Sequence, residues 1–134
     1  MITLGKFEEV KDIRTIWPHE ARDFTKWLAE DENLSTLSEA IGIDIILEEV
    51  ESSVGRYNVD LYATEDDTGR KIIIENQLEE TNHDHLGKLL TYASGKGAEI
   101  IIWIVKRSRD EHKQAIEWLN RNPFVHLADI RDAF

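Results

Sequence analysis

The 134-residue chain contains no cysteine. A disulfide framework and a thiolate metal site are thereby excluded, and a reducing compartment is compatible with the composition. Long apolar runs are missing too. No stretch approaches the ~20 residues of a membrane-spanning helix, and the N-terminal residues Met1 to Asp12 lack the basic and apolar regions of a signal peptide. A cytoplasmic protein is expected. Positive charge is scarce: 16 Lys and Arg stand against 27 Asp and Glu, a net charge of −11, with a pI near 4.8. Such a chain does not grip nucleic acid by general electrostatics, because phosphate contacts depend on Lys and Arg. There is no internal repeat, low-complexity tract or flexible linker, and no phosphate-cradling Gly-rich loop, nucleophile elbow or zinc-binding helix motif. The length fits one domain, residues 1–134, able to bury a core.

What the sequence does contain is a β-hairpin signal from Asn58 to Gln77. Asn58 to Thr64 alternates Val59, Leu61 and Ala63 with Asp60 and Tyr62. Lys71 to Leu78 is rich in β-branched residues, and Asp66-Asp67-Thr68-Gly69 between them is turn chemistry. If those four residues form the loop, Glu65 faces Arg70, Asp60 faces Glu75 and Asn58 faces Gln77. Opposed Cβ atoms lie roughly 4.5–5.5 Å apart, so two carboxylates would share one face at a spacing that destabilises the sheet unless something compensates. A divalent cation such as Mg²⁺ would do so, since hard cations take oxygen ligands and keep several waters. A three-residue loop would instead slip the register by one and turn the acids to opposite faces. Ile72-Ile73-Ile74, apolar on both faces, reads as a buried central strand that breaks into Glu75-Asn76-Gln77.

The order helix, strand, Asp60 on a strand, turn, Glu75-Asn76-Gln77 on the next strand, helix and strand resembles the PD-(D/E)xK nuclease superfamily over roughly residues 35–120. The segment IIIENQLEETNHDHLGKLLTYA is similar to one bacterial and archaeal family of uncharacterised proteins in that superfamily, with Glu75-Asn76-Gln77 and His83-Asp84-His85-Leu86-Gly87 together. The resemblance implies an α/β, restriction-endonuclease-like mixed sheet flanked by helices, with core order α-β-β-β-α-β. It implies that Asp60 and Glu75 bind Mg²⁺ or Mn²⁺, and that Gln77 takes the place usually held by the catalytic lysine, a departure shared by some active and some inactive members. RecB-type members carry a Gln-x-x-x-Tyr pair on the helix beside the site. The corresponding residues here are Lys88 and Tyr92, so that an ammonium sits on that helix. Glu39 and Glu51 are further metal-contact candidates on the same grounds alone.

Around this stretch, Ala21, Phe24, Trp27 and Leu28 recur at helical spacing after Pro18-His19-Glu20. Trp17 and Trp27 are expected in the core. A second helix is predicted from about Asn33 to Ile41, with Ser35 as a cap and Gly42 as the stop. Residues 1–17 suggest a short strand, and Ile43 to Ser52 the first core strand, with Gly55 linking to the hairpin. After Gln77, Thr81 or Asn82 caps a helix to about Ser94, burying Leu86, Leu90 and Ala93 and aligning His85, Lys88 and Tyr92 on another face. His85 is a candidate general base or phosphate contact, and His83 is expected to be structural or exposed. Glu99 to Val105 reads as a buried strand parallel to its neighbour. Ser108 and Glu111 form a capping-box pattern for a final helix carrying Ala115, Ile116, Trp118 and Leu119, ending near Asn122-Pro123. Residues 124–131 suggest a last strand. Lys106, Arg107 and Arg109 are the one conspicuous basic cluster.

The expectation is a metal-dependent nuclease acting on phosphodiester bonds of nucleic acid, with DNA the favoured polymer. The alternative is a catalytically inactive domain of the same fold, serving as a nucleic-acid-binding or protein-interaction module. The acidic balance favours help from a homodimer, a protein partner or a fused domain.

Overall fold

The computed structural model describes residues 21–121 and 130–133. The strand expected within 1–17, Trp17, the Pro18 to Glu20 helix start, the stop near Asn122-Pro123 and residues 124–129 lie outside the described residues. In chain order the elements are α1 (Ala21–Leu28), α2 (Asp31–Ile41), β1 (Ile45–Val54), β2 (Tyr57–Glu65), β3 (Lys71–Glu80), α3 (His83–Lys96), β4 (Ile100–Arg107), α4 (Asp110–Arg121) and β5 (Ile130–Ala133). The five strands form one mixed sheet in the order β1-β2-β3-β4-β5. β1, β2 and β3 run antiparallel to one another, and β3, β4 and β5 run parallel. The α3 crossover between β3 and β4 is what a parallel pair requires.

The two apolar runs form the middle of the sheet because both faces are covered. Ile72, Ile73 and Ile74 pair with Ile100, Ile101 and Ile102, and all six are buried. Alternation along the strands sends Leu61, Ala63, Ile72, Ile74, Ile100 and Ile102 toward Phe24, Leu28, Leu34 and Leu37 of α1 and α2. Ile73, Ile101, Trp103 and Val105 go to the opposite face, against Leu89, Tyr92 and Ala93 of α3 and Ile116 of α4. Full burial of each isoleucine stabilises the fold by about 1.5–3 kcal/mol relative to leaving it exposed.

The hairpin forms with the four-residue loop. The Glu65 N–H donates to the Arg70 carbonyl at 2.9 Å and the Gly69 N–H to the Glu65 carbonyl at 2.8 Å, with Gly69 in the left-handed region at φ 70°. The pairs Thr64 with Lys71, Ala63 with Ile72, Tyr62 with Ile73 and Leu61 with Ile74 follow. Extending that register by one step sets Asp60 across from Glu75.

Several expectations need correction. β1 begins at Ile45 rather than Ile43, because the left-handed Gly42 ends α2 by turning the Gly42 and Ile43 N–H groups onto the Ser38 carbonyl. Ile43 is buried but its amide is not available to the sheet. α2 begins at Asp31, with Glu30 rather than Ser35 at its N-cap position. On α3 the buried residues are Leu89, Tyr92 and Ala93, whereas Leu86 and Leu90 are only half-buried. α4 starts at Asp110 with Arg109, not Ser108, before its first turn, because the Arg109 N–H is held by Thr81 Oγ1 at 2.8 Å. Trp27 remains 37% exposed, leaning on Phe24 with ring centroids 5.6 Å apart, and Trp118 is 52% exposed. No helix among the described residues is long and apolar enough to cross a membrane.

Candidate active site

The β2 to β3 ladder runs only as far as Leu61 and Ile74. Beyond that rung the two acids bridge the strands. The Asp60 N–H donates to Glu75 Oε1 at 2.9 Å, and the Asn76 N–H donates to Asp60 Oδ2 at 2.7 Å. Each carboxylate thus has one oxygen fixed by a main-chain N–H of the other strand. The other oxygens, Asp60 Oδ1 and Glu75 Oε2, accept no hydrogen bond from the described residues.

The chain is locally broken around this rung. Val59 packs on the α3 and α4 face whereas Leu61 packs on the α1 and α2 face, although residues two apart on a regular strand share a face. On β1, a bulge interrupts the register between Leu47 and Glu49. Glu51, between the rungs Val50 with Leu61 and Ser52 with Val59, lies across from Asp60. Its φ of 54° puts it in the left-handed region, which non-glycine residues rarely adopt. Such outliers cost about 1–3 kcal/mol and cluster at functional sites.

Burial and mutual repulsion dominate the electrostatics. Burial pushes the Asp60 carboxyl up to about 6, the Asn76 N–H opposing and the charge of Glu51 adding to the rise. Burial, then the Asp60 charge, pushes Glu75 up to about 8, while the Asp60 N–H and the Lys88 ammonium pull it back. Two half-buried acids that resist ionising together would release a proton on taking up a cation, because metal ligands must be deprotonated. Two carboxylates with one open oxygen each suit a hard cation that keeps several waters, so the residues present fit Mg²⁺ or Mn²⁺. They offer two ligands, not three. Among the described residues, the acids whose oxygens converge as a group of three are the exposed Asp44, just before β1, and Asp66 and Asp67 of the hairpin turn.

Gln77 is buried and both ends of its side chain are occupied. Its Nε2 donates to the Glu80 carbonyl at 2.6 Å, and its Oε1 accepts from the Trp103 indole N–H at 3.0 Å. Asn76, between the acid and Gln77, points to the opposite face and donates to Thr25 Oγ1 of α1 at 2.7 Å.

Helix α3 borders the site. Asn82 caps it by accepting from the His85 N–H at 2.8 Å, and the ring of His85 turns back to the same oxygen at 2.9 Å. An open groove of about 450 Å³ runs along α3, lined by His83, Asp84, Gly87, Lys88, Thr91 and Tyr92. His83 therefore reaches the groove, and His85 belongs to the cap. Lys88 is exposed and pairs with Asp84 at 3.1 Å, and the hydrogen bond and charge of Asp84 hold its ammonium pKa above the usual lysine value. Arg107 is exposed, and Arg109 pairs with Glu80 and Glu111, so its charge is already neutralised. Glu39 is exposed on α2.

Sequence reasoning missed the hydrogen-bonded chain Thr81, His112 and His83. It joins the start of α3 to α4 and has no local signal, since His83 and His112 are 29 residues apart.

Helices on both faces of this mixed sheet, with the antiparallel hairpin leading into a parallel α3 crossover, define a restriction-endonuclease-like fold. Comparison with solved structures supports that class. A repair endonuclease from Pyrococcus abyssi superposes with a TM-score of 0.56 over 77% of this chain, at 12% identity. The EndoMS–dsDNA2 complex superposes with a TM-score of 0.52, also over 77%, at 13% identity. The chain spans less than half of either relative, 45% and 44% of their lengths. No protein family matches the sequence, and no curated protein does.

Proposed function

We propose that this chain is a metal-dependent nuclease that hydrolyses phosphodiester bonds of nucleic acid, with DNA the favoured polymer. The observation that carries the reading is the reciprocal bracing of Asp60 and Glu75, which leaves one oxygen of each acid without a hydrogen bond from the described residues. Asp60 and Glu75 hold the divalent ion. The chemistry such an ion would supply there is polarisation of a phosphoryl oxygen and activation of a water for attack. Glu51 adds negative charge beside Asp60 and strengthens the pull on the cation. Lys88 lies close enough to Glu75 to affect its ionisation, and its ammonium offsets charge on the phosphate oxygens of a strand in the α3 groove. Gln77 is a positioning residue in this scheme, fixing the end of β3 against Trp103. Tyr92 packs behind Lys88 and shapes the groove wall.

The two neighbours are described as a repair endonuclease and as a complex with double-stranded DNA, which favours DNA as the first substrate to try. The test is incubation of the purified chain with single-stranded DNA, double-stranded DNA and RNA in Mg²⁺ or Mn²⁺, beside Asp60→Ala and Glu75→Ala. Cleavage that needs metal and disappears in both variants supports the reading. Cleavage that survives both rejects the site.

The inactive-module reading is favoured by one observation, the burial of Gln77 at the position of the usual lysine. Under it, metal binding persists and no nucleic acid is cut.

A further inference from the structure

Thr81, His112 and His83 form a continuous hydrogen-bonded chain from the protein interior to the groove. The Arg109 N–H donates to Thr81 Oγ1 at 2.8 Å, Thr81 Oγ1 lies 2.8 Å from His112 Nδ1, and His112 Nε2 lies 2.8 Å from His83 Nδ1. Thr81 and His112 are buried, at 2% and 3% exposure, whereas His83 is exposed and lines the groove that also contains Lys88. The two imidazoles meet edge to face, with centroids 4.8 Å apart. A buried histidine bonded through both nitrogens cannot rotate without breaking a bond, so it fixes the ring that leans on it. A structural ion pair or cap would not need the outer ring to end in an open groove.

We propose that His83 is a phosphate-binding residue of the α3 groove, and that His112 and Thr81 are its positioning residues, forming a pair of imidazoles that carries one proton at a time. The proposal rests on the nucleic-acid reading above and adds a second cation to Lys88 on the groove wall. Its hydrogen-bond logic is restrictive. Neutral His83 can accept from His112 or donate to it. Charged His83 has hydrogens on both nitrogens, so its Nδ1–H must donate to His112 Nε2. His112 must then be the neutral Nδ1–H tautomer, donating to Thr81 Oγ1. The second proton has no place: burial, followed by the charge of His83, lowers the His112 pKa. The charged groups facing this pair are Glu80 at the end of β3, Arg109 and Glu111 at the start of α4, and Asp84 and Lys88 along α3. At His112 the acids Glu111 and Glu80 favour the cation, whereas burial, the charge of His83 and Arg109 disfavour it.

The probe is a fluorescein-labelled DNA duplex with Ca²⁺ in place of Mg²⁺, followed by anisotropy at constant ionic strength across about pH 5 to 8, where imidazoles titrate. Wild-type affinity is compared with His83→Gln at each pH, so that any titration of Asp60 and Glu75, common to both proteins, cancels. The expected result is a wild-type advantage of about tenfold at low pH, the size of a charge-assisted hydrogen bond, that vanishes as pH rises. Imidazole ¹⁵N spectra of the free protein supply a readout independent of DNA, in which His112 is neutral and Nδ1-protonated whenever His83 is charged. An equal advantage at every pH, no advantage at all, or a charged His112 overturns the proposal while leaving the nuclease reading intact. Uptake of one Zn²⁺ by the pair, lost in His83→Gln, also overturns it and makes the pair a metal site. If the wild type binds no duplex at any pH yet cuts nucleic acid, the proposal falls and the nuclease reading stands. If it neither binds nor cuts any nucleic acid, both readings fall together.

Discussion

The indole N–H of Trp103 donates to Gln77 Oε1 at 3.0 Å inside the layer between the sheet and helices α3 and α4. Trp103 is fully buried, and among the described residues this is the bond its indole makes. The amide at position 77 is therefore part of the core.

The substitution Gln77→Lys, which would restore the usual motif on paper, is expected to destabilise the protein rather than activate it. A lysine offers no acceptor to Trp103 and brings a charge into a buried site, and a buried unsatisfied N–H costs about 1–3 kcal/mol. Denaturant titration should show the loss, with metal-dependent cleavage no greater than in the wild type. A stable, more active variant would mean that residue 77 faces the metal.

The acid pair should make metal-free stability fall as pH rises. Asp60 and Glu75 have folded pKa values of about 6 and about 8, above their ordinary values of 3.8 and 4.5. Between ordinary and folded values the native state holds more protons than the unfolded chain, so stability decreases with pH through that window. Glu75→Gln keeps the oxygen that accepts the Asp60 N–H and removes the charge. At pH 8 in EDTA it is expected to stabilise the fold by about 1–3 kcal/mol, and at pH 4 to change little. Thermal melts at the two pH values check this.

Divalent cations should reverse that effect. Mn²⁺ at about 100 times its dissociation constant stabilises a protein that binds it only when folded by about 2.7 kcal/mol, a rise of several degrees in Tm. The rise should be absent in Asp60→Ala. An equal rise in that variant would move the cation elsewhere, with the exposed acids Asp44, Asp66 and Asp67 the first place to look.

Gly95 of α3 passes directly over Val54 at the end of β1, and an added methyl group would overlap the valine side chain. Alanine is the better helix former by about 0.5–1 kcal/mol, but overpacking typically costs about 1–3 kcal/mol. Gly95→Ala should therefore lower stability by about 1 kcal/mol in net terms. Adding Val54→Ala should relieve the overlap, and a double mutant no better than the single change would show that the contact is not the cause.

Lys88→Ala should leave stability almost unchanged, because its bridge to Asp84 is exposed and such pairs contribute little. Cleavage is expected to fall about 10- to 100-fold if the ammonium faces the phosphate, with the loss read in rate constants under saturating metal. Unaltered rates would return Lys88 to an ordinary surface role.

The hairpin was legible because its information is local. Asp66 to Gly69 read as turn residues, and of the two loop lengths they allow, the four-residue one forms and sets the register that opposes Asp60 to Glu75. Gly42 likewise announces the end of α2 through its left-handed backbone, whereas α3 runs past the expected Ser94 to Lys96. Less legible was which face of α3 meets the sheet. A helical wheel orders residues around an axis but does not say where the sheet lies, so it does not tell that Leu89 and Tyr92, rather than Leu86 and Leu90, are buried. Main-chain bonds between distant residues were also invisible: Thr81 holding Arg109 shifts the start of α4 past Ser108. The overlap of Glu51 with the Asp60 rung depends on a bulge in β1 that has no glycine or proline to mark it.

Three successive residues of β3 have three separate destinations: Glu75 to Asp60, Asn76 to Thr25 on one side of the sheet, and Gln77 to Trp103 on the other. Sliding this strand by a single position would drive an acid into the helical layer at Thr25 and a carboxamide into the cleft. No gradual drift connects the correct alignment to a neighbouring one. The relative placement of the two carboxylates is therefore set when the strands pair.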